Sequence, residues 1–143
     1  MSESIPLIST SEPLRRQLEV SLQALLDAPV FDLAQPEKTA LLQTRLQALT
    51  GWHQQQCIEY ARILAGMHWS VESDTLADMP YLAVRLFKHR LLASVPETER
   101  FKTLTSSGTT GAVSRIVLDR ETAALQSKVL VKILQTFVGK ARL

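Results

Sequence analysis

Cysteine is almost missing from this chain: Cys57 is the only one in 143 residues. No intrachain disulfide can form, and a lone thiol suits a reducing compartment. Glycine is scarce as well, with five residues in all. Charge of neither sign prevails, since 16 Lys and Arg face 14 Asp and Glu for a net charge of +2. The basic residues are scattered, so no basic patch points to nucleic acid. No apolar run approaches the ~20 residues needed to span a bilayer. The stretch from Met1 to Glu12 carries two acids, and no base precedes Arg15, which is the reverse of a secretory signal. These absences together predict a cytoplasmic protein. Internal repeats and low-complexity segments are also lacking, and residues 1–10 should be loosely held.

What remains is ordinary globular material, with 45% apolar and 21% charged residues, enough for one domain with a core. The front half reads as helical. Ser11, Glu12 and Pro13 suit a helix start, Leu14, Leu18, Leu22 and Leu25 fall on one stripe, and Pro29 ends it. Such a stripe serves core packing or, less commonly, a partner. A second helix is expected from Pro36 to a stop at Gly51, with Leu41, Leu42, Leu46 and Leu49 on its apolar face. A third covers Trp52 to Ala65 and stops at Gly66, with Ile58, Ala61, Ile63, Leu64 and Ala65 facing inward. The segment 71–75 is a polar link. Residues 83–87 fit an extended segment or a short helix. Phe87, Lys88, His89 and Arg90 put three bases behind an aromatic, either as an anion contact or as a solvated edge.

His53, His68 and His89 are far apart in sequence. His53 and Cys57 share the i,i+4 spacing of one predicted helix face, but two ligands fall short of a zinc set. Cys57 beside Ile58 reads as a buried small apolar residue rather than a nucleophile.

Two of the five glycines sit in one stretch, Thr105-Ser106-Ser107-Gly108-Thr109-Thr110-Gly111, with five hydroxyls and no charge. Phe101-Lys102-Thr103-Leu104 precedes it and the β-branched Ser114-Arg115-Ile116-Val117-Leu118 follows. The pattern is strand, polar turn, strand. Composition leaves two readings open. One is a plain hairpin turn. The other is a cradle of backbone N–H groups and hydroxyls that holds an anion. Asp119 can cap a last helix, Glu121 suits its positive end, and Leu125, Val129, Ile133, Leu134 and Phe137 make its apolar stripe up to Gly139.

The run from Phe101 to Arg120, with Met79-Pro80-Tyr81-Leu82-Ala83-Val84-Arg85-Leu86-Phe87-Lys88 before it and Thr122, Gln126 and Lys128 after it, resembles the start of the acyl-protein synthetases of the LuxE type. The resemblance is clear over roughly residues 76–142. The loop is similar to the phosphate loop of adenylate-forming enzymes at large. The resemblance implies a mostly α fold with a small β component (α+β): a helical region over 1–75, then a hairpin and long helix over 76–143 that begin an ATP/AMP-binding core. It implies ATP and Mg2+, a fatty acid or other carboxylate substrate, and an acyl reductase protein as partner in a fatty acid reductase complex such as that of bioluminescence. A carboxylate would attack the α-phosphate to give acyl-adenylate, and the acyl group would then pass to a protein thiol. Thr105, Ser106, Ser107, Gly108, Thr109, Thr110, Gly111 and Arg115 would bind the phosphates, with no catalytic residue and no metal ligand assigned.

Two departures stand out. Ser114-Arg115 replaces the Pro-Lys-Gly of many adenylate-forming enzymes, which leaves Arg115 as a phosphate ligand or a solvated strand residue. Family members also run longer, so the chain reads as an N-terminal portion that does not complete adenylation alone. Cys57 matches no acyl-accepting position. A non-catalytic helical interaction module, with 105–111 only a turn, is the alternative. A P-loop ATPase is disfavoured because Ala112-Val113 follows Gly111 instead of Lys-Ser/Thr.

Overall fold

Leucines spaced one helical turn apart set the first contact in the fold. The structure is a computed structural model that describes residues 12–69, 75–107 and 111–139. Helix α1 (Glu12–Asp27) begins with Glu12 and Pro13 in its first turn. Leu14, Leu18, Leu22 and Leu25 are half-buried, and α1 packs on α2 (Gln35–Gln56). The stripe therefore serves packing within the chain. Arg45 crosses from α2 to donate to the Leu18 carbonyl at 2.7 Å, and Ser21, buried on α1, donates to the same oxygen at 3.2 Å.

The structure moves the second helix boundary. Gly51 does not stop the helix; α2 runs through it to Gln56 and breaks at Cys57, whose backbone is extended at φ −127° and ψ 103°. A glycine inside a helix costs about 1 kcal/mol, and the contact of α2 with α1 along this stretch offsets it. Helix α3 (Ile58–Gly66) follows, and His68 takes the left-handed turn beyond it at φ 54°. Cys57 is buried as expected, at the break instead of mid-helix. Two further expectations are corrected. Ile58, Ala65 and Leu46 are exposed, whereas Ala48, Thr50, Leu64 and Met79 form the buried centre. Leu64 is the one large side chain fully enclosed among the described residues. The candidate cap Ser11, the polar link up to residue 74 and the termini lie outside the described residues.

Past a 3-10 turn at Leu76–Asp78, residues 83–87 resolve into the turn that leads to a short helix, α4 (Leu86–His89). Lys88 is half-buried there, and His89 and Arg90 are exposed. A second 3-10 turn (Glu97–Glu99) precedes strand β1 (Lys102–Thr105), which pairs antiparallel with β2 (Arg115–Leu118). The register sets Lys102 opposite Leu118 and Thr105 opposite Arg115. An isolated hairpin is marginal in water, and this one is backed by α4 and by α5 (Arg120–Val138). The mostly α architecture with one hairpin and a long last helix is the one the residues implied.

The two ends of α5 follow their local chemistry. The Asp119 carboxylate accepts from the Thr122 N–H at 2.6 Å, and Gly139 closes the helix at φ 76°. Arg120 lies over the Phe101 ring at 4.4 Å and ties the helix to the foot of the hairpin. Lys132 donates to the carbonyls of Leu26 and Ala28 at the end of α1. Of the predicted apolar stripe, Leu125 and Val129 are half-buried, while Ile133 and Leu134 are exposed and Phe137 is 72% exposed although its ring meets Phe31 edge-on at 5.7 Å. No described helix is long and apolar enough to cross a membrane.

Candidate phosphate loop

The candidate site is the connection between β1 and β2. Lys102-Thr103-Leu104-Thr105 and the largely β-branched Arg115-Ile116-Val117-Leu118 extend the chain on the two sides of it. Of the predicted site residues, Thr105 is the last residue of β1 and leads into the loop. Ser106 and Ser107 are exposed at the exit from β1. Gly108, Thr109 and Thr110 lie outside the described residues. Gly111 re-enters with φ 94°, a left-handed backbone that a side chain would strain. A Cβ built there would meet nothing within 4 Å, so the glycine answers a conformational demand and not a packing one.

Arg115 opens β2 directly opposite Thr105. Residues opposed across an antiparallel pair share a face, with Cβ atoms ~5 Å apart. Arg115 and Thr105 therefore project from the same face of the hairpin at the mouth of the loop. Arg115 is exposed, and among the described residues no carboxylate pairs with it.

The neck of the loop is closed by two serines. The Ser106 N–H donates to the Ser114 carbonyl at 3.2 Å, and the Ser114 N–H donates to Ser106 Oγ at 3.0 Å. Ser114 is buried, at 7% exposure, while Ser106 is open to solvent. Reasoning from sequence missed Ser114, which had no mark to set it apart from the other hydroxyl residues nearby. Its separation of eight from Ser106 becomes meaningful only once the register of β1 and β2 is known.

The ring of His53 lies elsewhere, on α2, with Nδ1 2.6 Å from Ser94 Oγ in the connector before the hairpin. Burial lowers its pKa, and the Arg45 charge on the same helix lowers it further. Burial also lowers Arg45 and raises Tyr60; at Tyr60 a hydrogen bond from Thr50 opposes that rise and Cys57 adds to it. His53 lies in the last turn of α2, and Cys57 is the residue at its break. Among the described residues, no group of three His, Cys, Asp or Glu could hold a metal ion.

A two-stranded hairpin with a hydroxyl- and glycine-bearing connection, Arg115 at the start of β2 and a long helix behind it make this an α+β protein. The model of the acyl-protein synthetase (LuxE) family matches residues 11–142, and the chain belongs to that family. The match includes the helical front half, where the residues themselves carried little resemblance. No curated protein and no solved structure gives a match.

Proposed function

We propose that the 105–111 loop and Arg115 receive the phosphates of ATP in the carboxylate-activating step of an acyl-protein synthetase. Family membership supports acyl-protein synthesis in general. The observation that supports the nucleotide reading is the mouth of the loop: Arg115, with no carboxylate partner among the described residues, lies opposite Thr105 across the hairpin and shortly after the left-handed Gly111. These residues suit a polyphosphate. The Arg115 fork can meet two phosphate oxygens at once, and the loop N–H groups supply directed donors. Mg2+ would arrive on the phosphates, which is the usual way this ion is bound where carboxylates are few.

On this reading the acyl donor is a long-chain fatty acid. Its carboxylate oxygen attacks the α-phosphorus, the bond to the bridging oxygen of pyrophosphate breaks, and acyl-adenylate forms. The acyl group then passes to a protein thiol, releasing AMP, and an acyl reductase partner takes the thioester onward. The described residues contribute positioning and charge neutralisation.

Titrating the 15N-labelled chain with Mg-ATP tests the proposal. The amides of Ser106, Ser107, Gly111 and Arg115 should shift together, and Arg115→Gln should weaken ATP binding about tenfold while leaving adenosine unaffected. If those amides stay still at millimolar ATP, the loop is a turn and the phosphate reading fails. The exposed apolar stripe of α5 favours a second reading, an interaction module. That reading predicts shifts at Leu130, Leu134 and Phe137 with a protein partner and none with ATP.

A further inference from the structure

We infer that Ser106 acts as a positioning residue that fixes where the chain leaves the sheet after β1, and that its hydroxyl is not itself a phosphate ligand. The inference rests on the nucleotide reading for its consequence but on the hairpin geometry for its evidence.

The β1–β2 register runs Lys102 to Leu118, Thr103 to Val117, Leu104 to Ile116 and Thr105 to Arg115. One step further places Ser106 opposite Ser114. In a regular hydrogen-bonded antiparallel pair, the two residues exchange both N–H···O=C bonds. Here only one of the two is regular. The Ser106 N–H finds the Ser114 carbonyl at 3.2 Å, but the Ser114 N–H goes to Ser106 Oγ at 3.0 Å in place of the Ser106 carbonyl. The side chain of Ser106 thus stands in for its own carbonyl.

This substitution has a structural effect. Had the Ser106 carbonyl closed the pair, its peptide plane would lie in the sheet and Ser107 would continue along the strand direction. With Oγ as acceptor, the Ser114 N–H is satisfied although it is buried, and the peptide plane after Ser106 is released from the ladder. The chain can leave the sheet at that point without orphaning a buried donor, which would otherwise cost about 1–3 kcal/mol. Ser106 is therefore the last residue tied to the sheet, and Ser107 is the first whose hydroxyl and N–H are uncommitted among the described residues. The division of labour that follows is specific: Ser106 closes the neck, while Ser107 and Arg115, both exposed, flank it.

Chemistry limits which residues can do this. The position needs a hydroxyl one carbon from the backbone, so threonine can replace serine and alanine cannot.

Amide hydrogen exchange on the nucleotide-free chain tests the clasp directly. In Ser106→Ala the Ser114 amide should exchange about tenfold faster, with the amides of β1 and β2 still protected, and Ser106→Thr should restore it. Unchanged Ser114 exchange in Ser106→Ala, in a hairpin that is still protected, would overturn the inference. Because no nucleotide is present, this result stands apart from the fate of the ATP reading.

A double-mutant cycle on Mg-ATP affinity then separates positioning from direct contact. Ser114→Pro deletes the N–H that Ser106 accepts from. Ser106→Ala and Ser114→Pro should each weaken binding, and the pair together should be no weaker than the worse single variant. Full additivity would make Ser106 a direct ligand and overturn the positioning role. Absence of ATP binding in the parent chain would overturn the nucleotide reading, leaving the exchange experiment to decide the clasp.

Discussion

Lys132→Met is the most informative single change outside the loop. Lys132 reaches from the middle of α5 to the carbonyls of Leu26 and Ala28, the latter at 3.0 Å, where α1 has run out of its own donors. The last carbonyls of a helix have no intrahelical partner, and the helix dipole makes that end attractive to a cation. Each ammonium–carbonyl bond contributes about 1.5–3 kcal/mol. Holding a lysine side chain in one rotamer costs up to ~2 kcal/mol, and Lys132 is only half-buried, so water competes for the same oxygens. The net expectation is a loss of about 2 kcal/mol in Lys132→Met. With a urea m-value of about 2 kcal/mol/M, the midpoint should fall by about 1 M. Lys128→Met, on an exposed position of the same helix, is the control and should stay within ~0.5 kcal/mol of the parent chain. The bulk of the Lys132 effect should survive 0.5 M NaCl, since directed hydrogen bonds are screened less than a diffuse dipole interaction. A loss below ~0.5 kcal/mol, or one that vanishes in salt, would refute the tether between the last helix and the first.

Three other outcomes follow from the same geometry. Leu64→Ala should cost about 3 kcal/mol in urea unfolding because Leu64 is fully enclosed, whereas the exposed Leu130→Ala should be near neutral; equal effects would show that the centre is misplaced. His53 is held below the usual imidazole pKa of ~6.5, so the native state prefers it neutral. Its contribution is complete above that value and is lost as pH falls toward the lowered native pKa, so the urea midpoint should drop between pH 7.5 and 5.5 by more in the parent chain than in His53→Gln. Asp119→Ala removes the acceptor of the Thr122 N–H and should cost about 1 kcal/mol, with faster amide exchange confined to the first turn of α5.

The features legible in the sequence were the ones coded locally. Glu12 and Pro13 opened α1, Asp119 capped α5, Gly139 closed it, and two short runs around a Ser/Thr/Gly stretch became β1 and β2. Each of these depends on residues within one or two turns of each other. Gly51 shows the limit of that kind of reading. Its weak helix preference is real, but α1 packs along α2 through this stretch, and tertiary contact outweighed the local preference. The break appeared instead at Cys57, where no glycine or proline marks it. Burial was the hardest property to read. The leucine at position 46 and the isoleucine at 58 have the same chemistry as Leu64, yet only Leu64 is enclosed. Periodicity can say which residues share a face, but not how much of that face a neighbour covers.

The loop divides along the same line. Its hydroxyls, its glycines and the arginine after it are present in the sequence, and they sufficed to single out 105–111 and Arg115. The placement of Thr105 in the strand, the pairing that brings Arg115 to its side, and the clasp between Ser106 and Ser114 all depend on register. Register is a property of two segments held against each other, and a shift of one residue would turn every side chain to the opposite face. Local chemistry thus determined which polar residues the connection carries, whereas the folded hairpin alone decided that Ser106 and Ser114 clasp its neck and that Arg115 stands opposite Thr105.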